Sequence, residues 1–497
     1  MSVPSLAADR RKYILANVVP SMDLRPFING AYRDSSSVED HDVIDPMTNQ
    51  RIVTMPMASA ADADQAVKSA FQAFESGVWS QAHPRQRAAV LNKLADLIDA
   101  NMENLVLLES IDVGKPISNV RGWDISNAAE VYRYYAGWAD KILGSYLPPV
   151  GRYSMHTRPE PVGVCAAIVP WNFPFPCISW KIAPALAAGC TVVIKPSERA
   201  PLSAQYLGRL INEAGFPPGV VNIVTGYGDV AGSALVSNHD VSKITFTGSV
   251  PTAQKIVTTS VSHLPRLTLE LGGKSPNVIM ADANLEDAVT GTIDAVFGVA
   301  GQNCCAGSRT FVHADVYDEF IRLLSESSLQ RRLGDPLDDA TQQGPQIDAR
   351  HLGVISGYVE QAISQGARTI IGADKSTAGD LFYLPTLLDS VSDDMPVSRE
   401  EIFGPVGCVY KVSSLDEAIS RANDTSYGLA AAIWTSDGAT AEKFTQRIRA
   451  GACWVNCFNM FDTVAPWGGV KQSGYGRELG QAALHEFTSL KTVFVRY

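Results

Sequence analysis

The sequence lacks the features that would mark a secreted, membrane-spanning or nucleic-acid-binding protein. Cysteine is scarce, eight residues in 497, at positions 165, 177, 190, 304, 305, 408, 453 and 457. They form no CxxC pair and no ladder of the kind that staples small secreted domains, so they read as reduced thiols. No apolar run reaches the roughly 18 residues needed to cross a bilayer. The first 17 residues hold a basic pair, Arg10-Arg11, but no apolar leader segment, and the expectation is a cytoplasmic location with no membrane partner. Positive charge is not in excess either. The 41 Lys and Arg stand against 52 Asp and Glu, a net charge of −11, which offers nucleic acid no general attraction. Internal repeats and low-complexity tracts are missing. So are HExxH, a GxSxG elbow and any recognisable Cys/His pair, which leaves metal chemistry without local support.

What the chain does have is apolar content, 46% against 19% charged residues. That excludes a disordered or fibrous protein and suffices for more than one large core. Ala66, Val67, Ala70, Phe71 and Phe74 recur at helical spacing behind the Ser59 and Asp62 pattern of a capping box. Val90, Leu91, Leu94, Leu97 and Ile98 repeat it after Pro84, which suits a first helical turn. The runs 162–169 and 191–194 are continuously apolar and turn-bounded, as strands buried on both faces are. Between them, 178–188 reads as a helix ending at Gly189. A helix over 202–214, a strand over 220–225, a further helix and a strand over 243–247 follow. Repeated βαβ units predict a parallel sheet with helices on both faces. Apolar segments at 276–280, 310–312, 407–410, 430–434 and 452–456 predict a second α/β domain.

The dinucleotide fingerprint GxGxxG is not cleanly present. Gly226, Gly228 and Gly232 are spaced GxGxxxG, a weak signal that usually marks only a turn. Phe246-Thr247-Gly248-Ser249 follows a predicted strand and opens a helix; its N-terminus suits either a pyrophosphate or an ordinary serine cap. Gly273-Lys274-Ser275 ends like a phosphate-binding loop, but the earlier glycine that motif needs is Thr268. Gly301-Gln302-Asn303-Cys304-Cys305-Ala306-Gly307 sets two thiols in a small-residue segment that lets backbone approach a ligand. A thiol is a candidate nucleophile only where its surroundings favour the thiolate.

Three more segments carry chemistry. Glu270 ends an apolar strand in Leu269-Glu270-Leu271-Gly272-Gly273-Lys274, Asn172 follows a buried strand in Pro170-Trp171-Asn172-Phe173-Pro174, and Glu401 adjoins an aromatic in Glu401-Ile402-Phe403-Gly404-Pro405. With these, the chain resembles the aldehyde dehydrogenase superfamily, from Phe27-Ile28-Asn29-Gly30 to Phe487-Thr488-Ser489-Leu490-Lys491-Thr492-Val493. Asp112-Val113-Gly114-Lys115-Pro116, Lys195-Pro196-Ser197-Glu198 and Pro466-Trp467-Gly468-Gly469-Val470-Lys471-Gln472-Ser473-Gly474 match in order.

The resemblance implies NAD-dependent oxidation of an aldehyde to its acid. Cys304 resembles the nucleophile, Asn172 an oxyanion donor with the Cys304 N–H, and Glu270 the base that activates water; Lys181 and Glu478 resemble a proton-relay pair. For the cofactor, Lys195 and Glu198 match adenosine-ribose contacts, Gly248 and Ser249 pyrophosphate contacts, and Glu401 and Phe403 nicotinamide contacts, with Trp171 beside them. Glu198 would repel a 2′-phosphate, so NAD is expected over NADP. The implied substrate wall comprises Phe173, Cys177, Trp180, Gly298, Asn303, Cys305, Phe461 and Trp467. Three of its aromatics match the box with which betaine aldehyde dehydrogenases hold a trimethylammonium. The fourth box position, tryptophan in the plant enzymes, is Gly298 here, which favours an apolar or aromatic aldehyde such as phenylacetaldehyde. The alternatives are a betaine or amino-aldehyde and a thiol hydrolase without hydride transfer.

The implied fold is α/β, with a Rossmann-like NAD domain (1–142 and 161–270), a second α/β catalytic domain (271–470) and a small β oligomerisation hairpin with a bridging segment (143–160 and 471–497). The implied assembly is a homotetramer, a dimer of dimers. The alternating pattern of 488–497 predicts a strand that joins a partner's sheet and covers an exposed edge.

Overall fold

The computed structural model describes residues 6–497; the first five, part of the stretch read as lacking a leader, lie outside it. Two sheets organise the chain. The first orders its strands Gly474–Tyr475, Arg266–Leu271, Val241–Gly248, Val164–Ile168, Thr191–Lys195, Val221–Ile223, Phe27–Ile28 and Ala31–Tyr32. Its five inner strands run parallel, and antiparallel strands close both edges. The second orders Arg368–Ile371, Thr386–Asp389, Val406–Val412, Arg309–His313, Pro276–Ile279, Ala430–Trp434 and Ala452–Val455, parallel except at its first strand. The chain crosses between the sheets in the four residues from Leu271 to Pro276.

Every residue of Val164–Ile168 and of Thr191–Lys195 is buried, because helices cover both faces of the sheet; this is why these strands read as unbroken apolar runs. The helix Ala60–Glu75 starts with the Ser59 and Asp62 capping box. Pro84 opens Pro84–Ala100, and Leu202–Ala214 ends at Gly215 in the left-handed conformation. The helix read as 178–188 in fact begins at Pro174. A proline in the first turn forfeits no hydrogen bond, because that amide has no partner within the helix anyway.

The C-terminal strand Thr488–Arg496 completes the small sheet of the hairpin. It pairs antiparallel over all nine residues with Tyr153–Pro161 of the same chain, whose other edge takes Tyr146–Val150. It forms one edge of that three-stranded sheet, and among the described residues its other side takes no strand of this chain. Among the described residues no helix is long and apolar enough to cross a membrane.

Candidate active site

Cys304 is placed by a reversal of backbone handedness. The helix Leu285–Phe297, capped by Asn284, gives way at Gly298 to three residues in the left-handed region: Val299 (φ 52°), Ala300 (φ 55°) and Gly301 (φ 72°). Only glycine fits the third position, where a Cβ would stand 2.0 Å from the Gly404 carbonyl oxygen. Val299 is β-branched, and holding it there costs on the order of 1–2 kcal/mol. The turn is held from outside. Gln346 Nε2 donates to the Ala300 carbonyl (3.1 Å), and the Ile347 amide donates to Gln302 Oε1 (3.0 Å). Asn172, buried at the N-terminal side of the helix Pro174–Ala188, donates its Nδ2 to the Gln302 carbonyl (2.9 Å). The candidate oxyanion donor therefore rests directly against the loop that carries the candidate nucleophile.

The half-buried Cys304 and the buried Glu270 line one cavity of about 280 Å³. The neighbouring Cys305 thiol, burial and the acid of Glu401 push the Cys304 thiol well above its ordinary range. Neither oxygen of Glu270 has a hydrogen-bond partner. Burial first, and the charge of Glu478 second, raise its carboxyl well above the ordinary carboxylate range. Both groups are thus poised to hold protons in the resting site. Behind them, Lys181 forms a buried ion pair with Glu478 and donates to Thr247 Oγ1 (2.7 Å). Glu478 also exchanges backbone hydrogen bonds with Trp467 (2.7 and 2.8 Å). An acid, an ammonium and a hydroxyl from three distant parts of the chain meet at the cavity wall.

The rest of the cavity is aromatic. Phe173, Trp180, Phe461 and Trp467 line it with Cys177, Gly298 and Asn303, as does Trp123, which no sequence pattern singled out. The Trp123 ring lies 5.6 Å from Phe173, 6.0 Å from Trp180 and 5.6 Å from Phe461 between centroids, and Phe461 lies 4.7 Å from Trp467. Trp180 is fixed by its Nε1 donating to Asn127 Oδ1 (2.9 Å). Lys115 stands 3.6 Å from the Phe173 ring centroid while pairing with Asp124 at 2.5 Å. Exposed Asp294 adds a carboxylate to the lining. Cys305, expected in this wall, lies behind it instead. It is fully buried, with its thiol 3.2 Å from Asn303 Oδ1 and 3.4 Å from Asn459 Oδ1, at the second central position of a turn closed by the Ala306 amide donating to the Asn303 carbonyl (3.1 Å).

The remaining predicted residues lie along the carboxyl ends of the first sheet and the facing loop of the second. Lys195 is buried at the end of its strand, its ammonium on the Pro196 carbonyl (2.9 Å) and 3.5 Å from Glu198, whose carboxylate is partly open to solvent. Ser249 caps the helix Val250–Ser260 immediately after Gly248. Trp171 and Phe403 meet edge to face at 5.4 Å. Glu401 packs against Gly272, where a Cβ would stand 2.0 Å from its carboxylate, and burial lifts its carboxyl to about 7.

Comparison with known proteins decides what this arrangement is. The aldehyde dehydrogenase family model matches residues 32–493. The chain belongs to the aldehyde dehydrogenase family. It is 46% identical over 472 residues to aldehyde dehydrogenase 1A1 of Gallus gallus, covering 95% of this chain and 93% of that protein. An NAD+ complex of an aldehyde dehydrogenase from Bacillus cereus superposes with a TM-score of 0.94 at 43% identity, covering 95% and 96% of the two chains. A solved indole-3-acetaldehyde dehydrogenase, also complexed with NAD+, gives 0.96 at 38% identity, covering 99% of each. As an aldehyde dehydrogenase the protein is an NAD-dependent oxidoreductase.

The cleft of this aldehyde dehydrogenase fits the cofactor on its own geometry. The Glu401 carboxylate has a single long hydrogen bond, 3.4 Å from the Gly273 amide, which leaves acceptor capacity for hydroxyls. The Val250–Ser260 helix presents its N-terminus where Gly248 adds no side chain, a setting suited to a pyrophosphate. Trp123, Lys115, Asp124 and Asp294 are among the lining residues to which the sequence assigns no role. Lys115 was visible within the matched Asp112–Pro116 stretch, but Trp123 sits in a helical turn with no spacing that distinguishes a lining ring from a core ring.

Proposed function

We propose that this aldehyde dehydrogenase oxidises an apolar or aromatic aldehyde of the phenylacetaldehyde kind to the free acid, with Cys304 as nucleophile. The observation that carries the reading is the cavity itself, walled by five aromatic rings and holding both Cys304 and Glu270. A flat ring slotted among Trp123, Phe173, Trp180 and Phe461 gains edge-to-face contacts worth roughly 0.5–1.5 kcal/mol each beyond simple burial. The resemblance in sequence and fold to an indole-3-acetaldehyde dehydrogenase supports the same class.

In this reading the Cys304 thiolate adds to the aldehyde carbonyl, giving a thiohemiacetal anion held by the Asn172 Nδ2–H and the Cys304 amide. Losing one such donor typically costs about 2.7–4 kcal/mol of barrier. Bound NAD would supply the hydride acceptor, and loss of that hydride leaves a thioester on Cys304. Glu270 then accepts a proton from water, whose oxygen attacks the thioester and releases the acid. Lys181 and Glu478 pass the proton away from the site. Lys195 and Glu198 hold the adenosine ribose, Gly248 and Ser249 the pyrophosphate, and Glu401, Phe403 and Trp171 the nicotinamide end. Eight free thiols suit a reducing compartment such as the cytoplasm. The apolar faces of the three-stranded sheet, with Tyr146, Leu490 and Phe494 exposed, suit assembly of a homotetramer.

A second reading has one observation in its favour. Asp294 sets a carboxylate beside the aromatic wall, a combination that also suits a cationic amino- or betaine aldehyde. Steady-state kcat/KM for phenylacetaldehyde, hexanal and betaine aldehyde decides between them. The first is expected to lead, and dominance of betaine aldehyde rejects the assignment. The same assay with NAD and NADP tests Glu198, whose role falls if NADP is preferred.

A further inference from the structure

The helix Ala7–Tyr13 precedes the residues matched by the family model, so that match gives it no task. Its two arginines nevertheless reach deep into the molecule. Arg10 is buried, with Nη1 donating to the Leu337 carbonyl (2.7 Å) and Nη2 to Asp339 Oδ2 (2.9 Å). Arg11 donates its Nε to Asp45 Oδ2 (2.8 Å) and both terminal nitrogens to the Asp335 carboxylate (2.6 and 3.1 Å). Asp45 ends the strand Asp40–Asp45 and is buried. One guanidinium therefore bridges two carboxylates 290 residues apart in sequence, using the planar fork that a lysine cannot reproduce.

Asp335 and Leu337 belong to a long irregular stretch. Between Leu329 and Ala349 the chain forms no helix or strand, so side chains and isolated backbone contacts must hold it in place. Its first half is held by the N-terminal arginines and by the Ile117 amide donating to the Pro336 carbonyl (2.8 Å). Its second half reaches the site. Gln346 holds Ala300 and the Ile347 amide holds Gln302, whose carbonyl receives Asn172. The stretch is a strut, with one end clamped by the N-terminal helix and the other carrying the turn that presents Cys304.

We propose that Arg11, assisted by Arg10, is a positioning residue for the Cys304 loop, because the N-terminal helix clamps residues 335–339 and so fixes the strut that holds Gln302 in place. The inference rests on the proposed role of Cys304, and its test separates the two. The variants are Arg11→Ala, Arg11→Lys and Asp335→Asn; the last keeps an acceptor for the Leu337 amide, which bonds Asp335 Oδ1 at 3.0 Å, while losing the charge. The readouts are kcat and KM with phenylacetaldehyde and NAD, the rate of Cys304 alkylation by iodoacetamide followed by mass, and the thermal midpoint. Displacements of about 1 Å at a reacting group can cost up to about a hundredfold, and Arg11→Ala is expected to lower kcat roughly tenfold or more and to change the alkylation rate. KM for NAD should hold, and Arg11→Lys should recover part of the loss. The Arg11→Ala/Asp335→Asn double variant should be no worse than Arg11→Ala alone, since that substitution already removes the Asp335 contact. Wild-type kcat and alkylation in Arg11→Ala, or losses that add in the double variant, overturn the proposal. If Arg11→Ala does not fold, Arg11→Lys and Asp335→Asn decide on the same readouts. A wild-type enzyme whose Cys304 resists alkylation, or that leaves every aldehyde untouched, overturns the reading of Cys304 instead.

Discussion

Cys304 and Glu270 both rest in surroundings that favour their protonated forms, so the rate should depend on how readily each gives up its proton. Cys304→Ser leaves a far weaker nucleophile in the same place and should lower aldehyde turnover by roughly a thousandfold or more. Because Cys304 is only half-buried, its thermal midpoint should stay close to that of the wild type; calorimetry alongside the assay separates lost chemistry from lost fold. For Glu270 the sign is set by the direction of its shift. A carboxyl lifted by burial becomes a base only as pH rises, so kcat limited by thioester hydrolysis should climb with pH through a midpoint above the ordinary carboxylate range. Glu270→Gln should remove that limb, and a profile unchanged by the substitution would assign the base elsewhere.

At the scale of elements, one helix seats two others. Glu109 and Asp112, three residues apart on the buried helix Met102–Val113, accept hydrogen bonds from the first amides of two helices: Phe175 (3.2 Å) and Leu202 (2.7 Å). Negative charge at a helix N-terminus is favourable, but burial lifts the Glu109 carboxyl to about 7. The stability that its protonated form contributes is complete below the unfolded value near 4.5 and is lost as pH rises through about 7. Glu109→Gln keeps an acceptor for Phe175 without the charge. Its stability relative to the wild type should improve by roughly 1–3 kcal/mol between pH 5 and pH 8, measured as the difference in denaturant midpoints. The helix Pro174–Ala188 also shows where local pattern stops informing. Its body was legible from spacing, but its first turn, Pro174 to Pro176, carries no periodic signal. The strands of the first sheet were legible because burial on both faces leaves an unbroken apolar run. Lys181 and Glu478 were legible only through family resemblance, since nothing local to either predicts a partner 297 residues away. Trp123 was not legible at all: a tryptophan lining a cavity and one filling a core have the same neighbours in sequence. Cys305, placed in the wall by family resemblance, is turned out of it by the local turn closed between Ala306 and Asn303.

For the whole molecule, the three-stranded sheet is the feature that invites assembly. Leu490 and Phe494 are exposed on one edge strand of that sheet, and Tyr146 and Val150 on the other. Truncation before Phe487 removes the C-terminal strand, exposes the backbone edge of Tyr153–Pro161, and should break up the proposed homotetramer. Sedimentation velocity should then show smaller or heterogeneous species, whereas an unchanged profile would place the subunit contacts elsewhere.

The left-handed turn before Cys304 has a consequence for how the substrate chamber can be remodelled. Val299 belongs both to the reversed turn and to the cavity lining, so trimming it touches backbone conformation and chamber size together. Glycine there enlarges the space in front of the thiol and removes the penalty of a branched side chain at positive φ, which offsets the added freedom of the unfolded chain. Widening the chamber at this position should therefore be nearly free thermodynamically, unlike most enlargements of a packed pocket. Val299→Gly is expected to hold its melting temperature while gaining turnover on aldehydes bulkier than a single ring, and selection for such substrates should reach this substitution early.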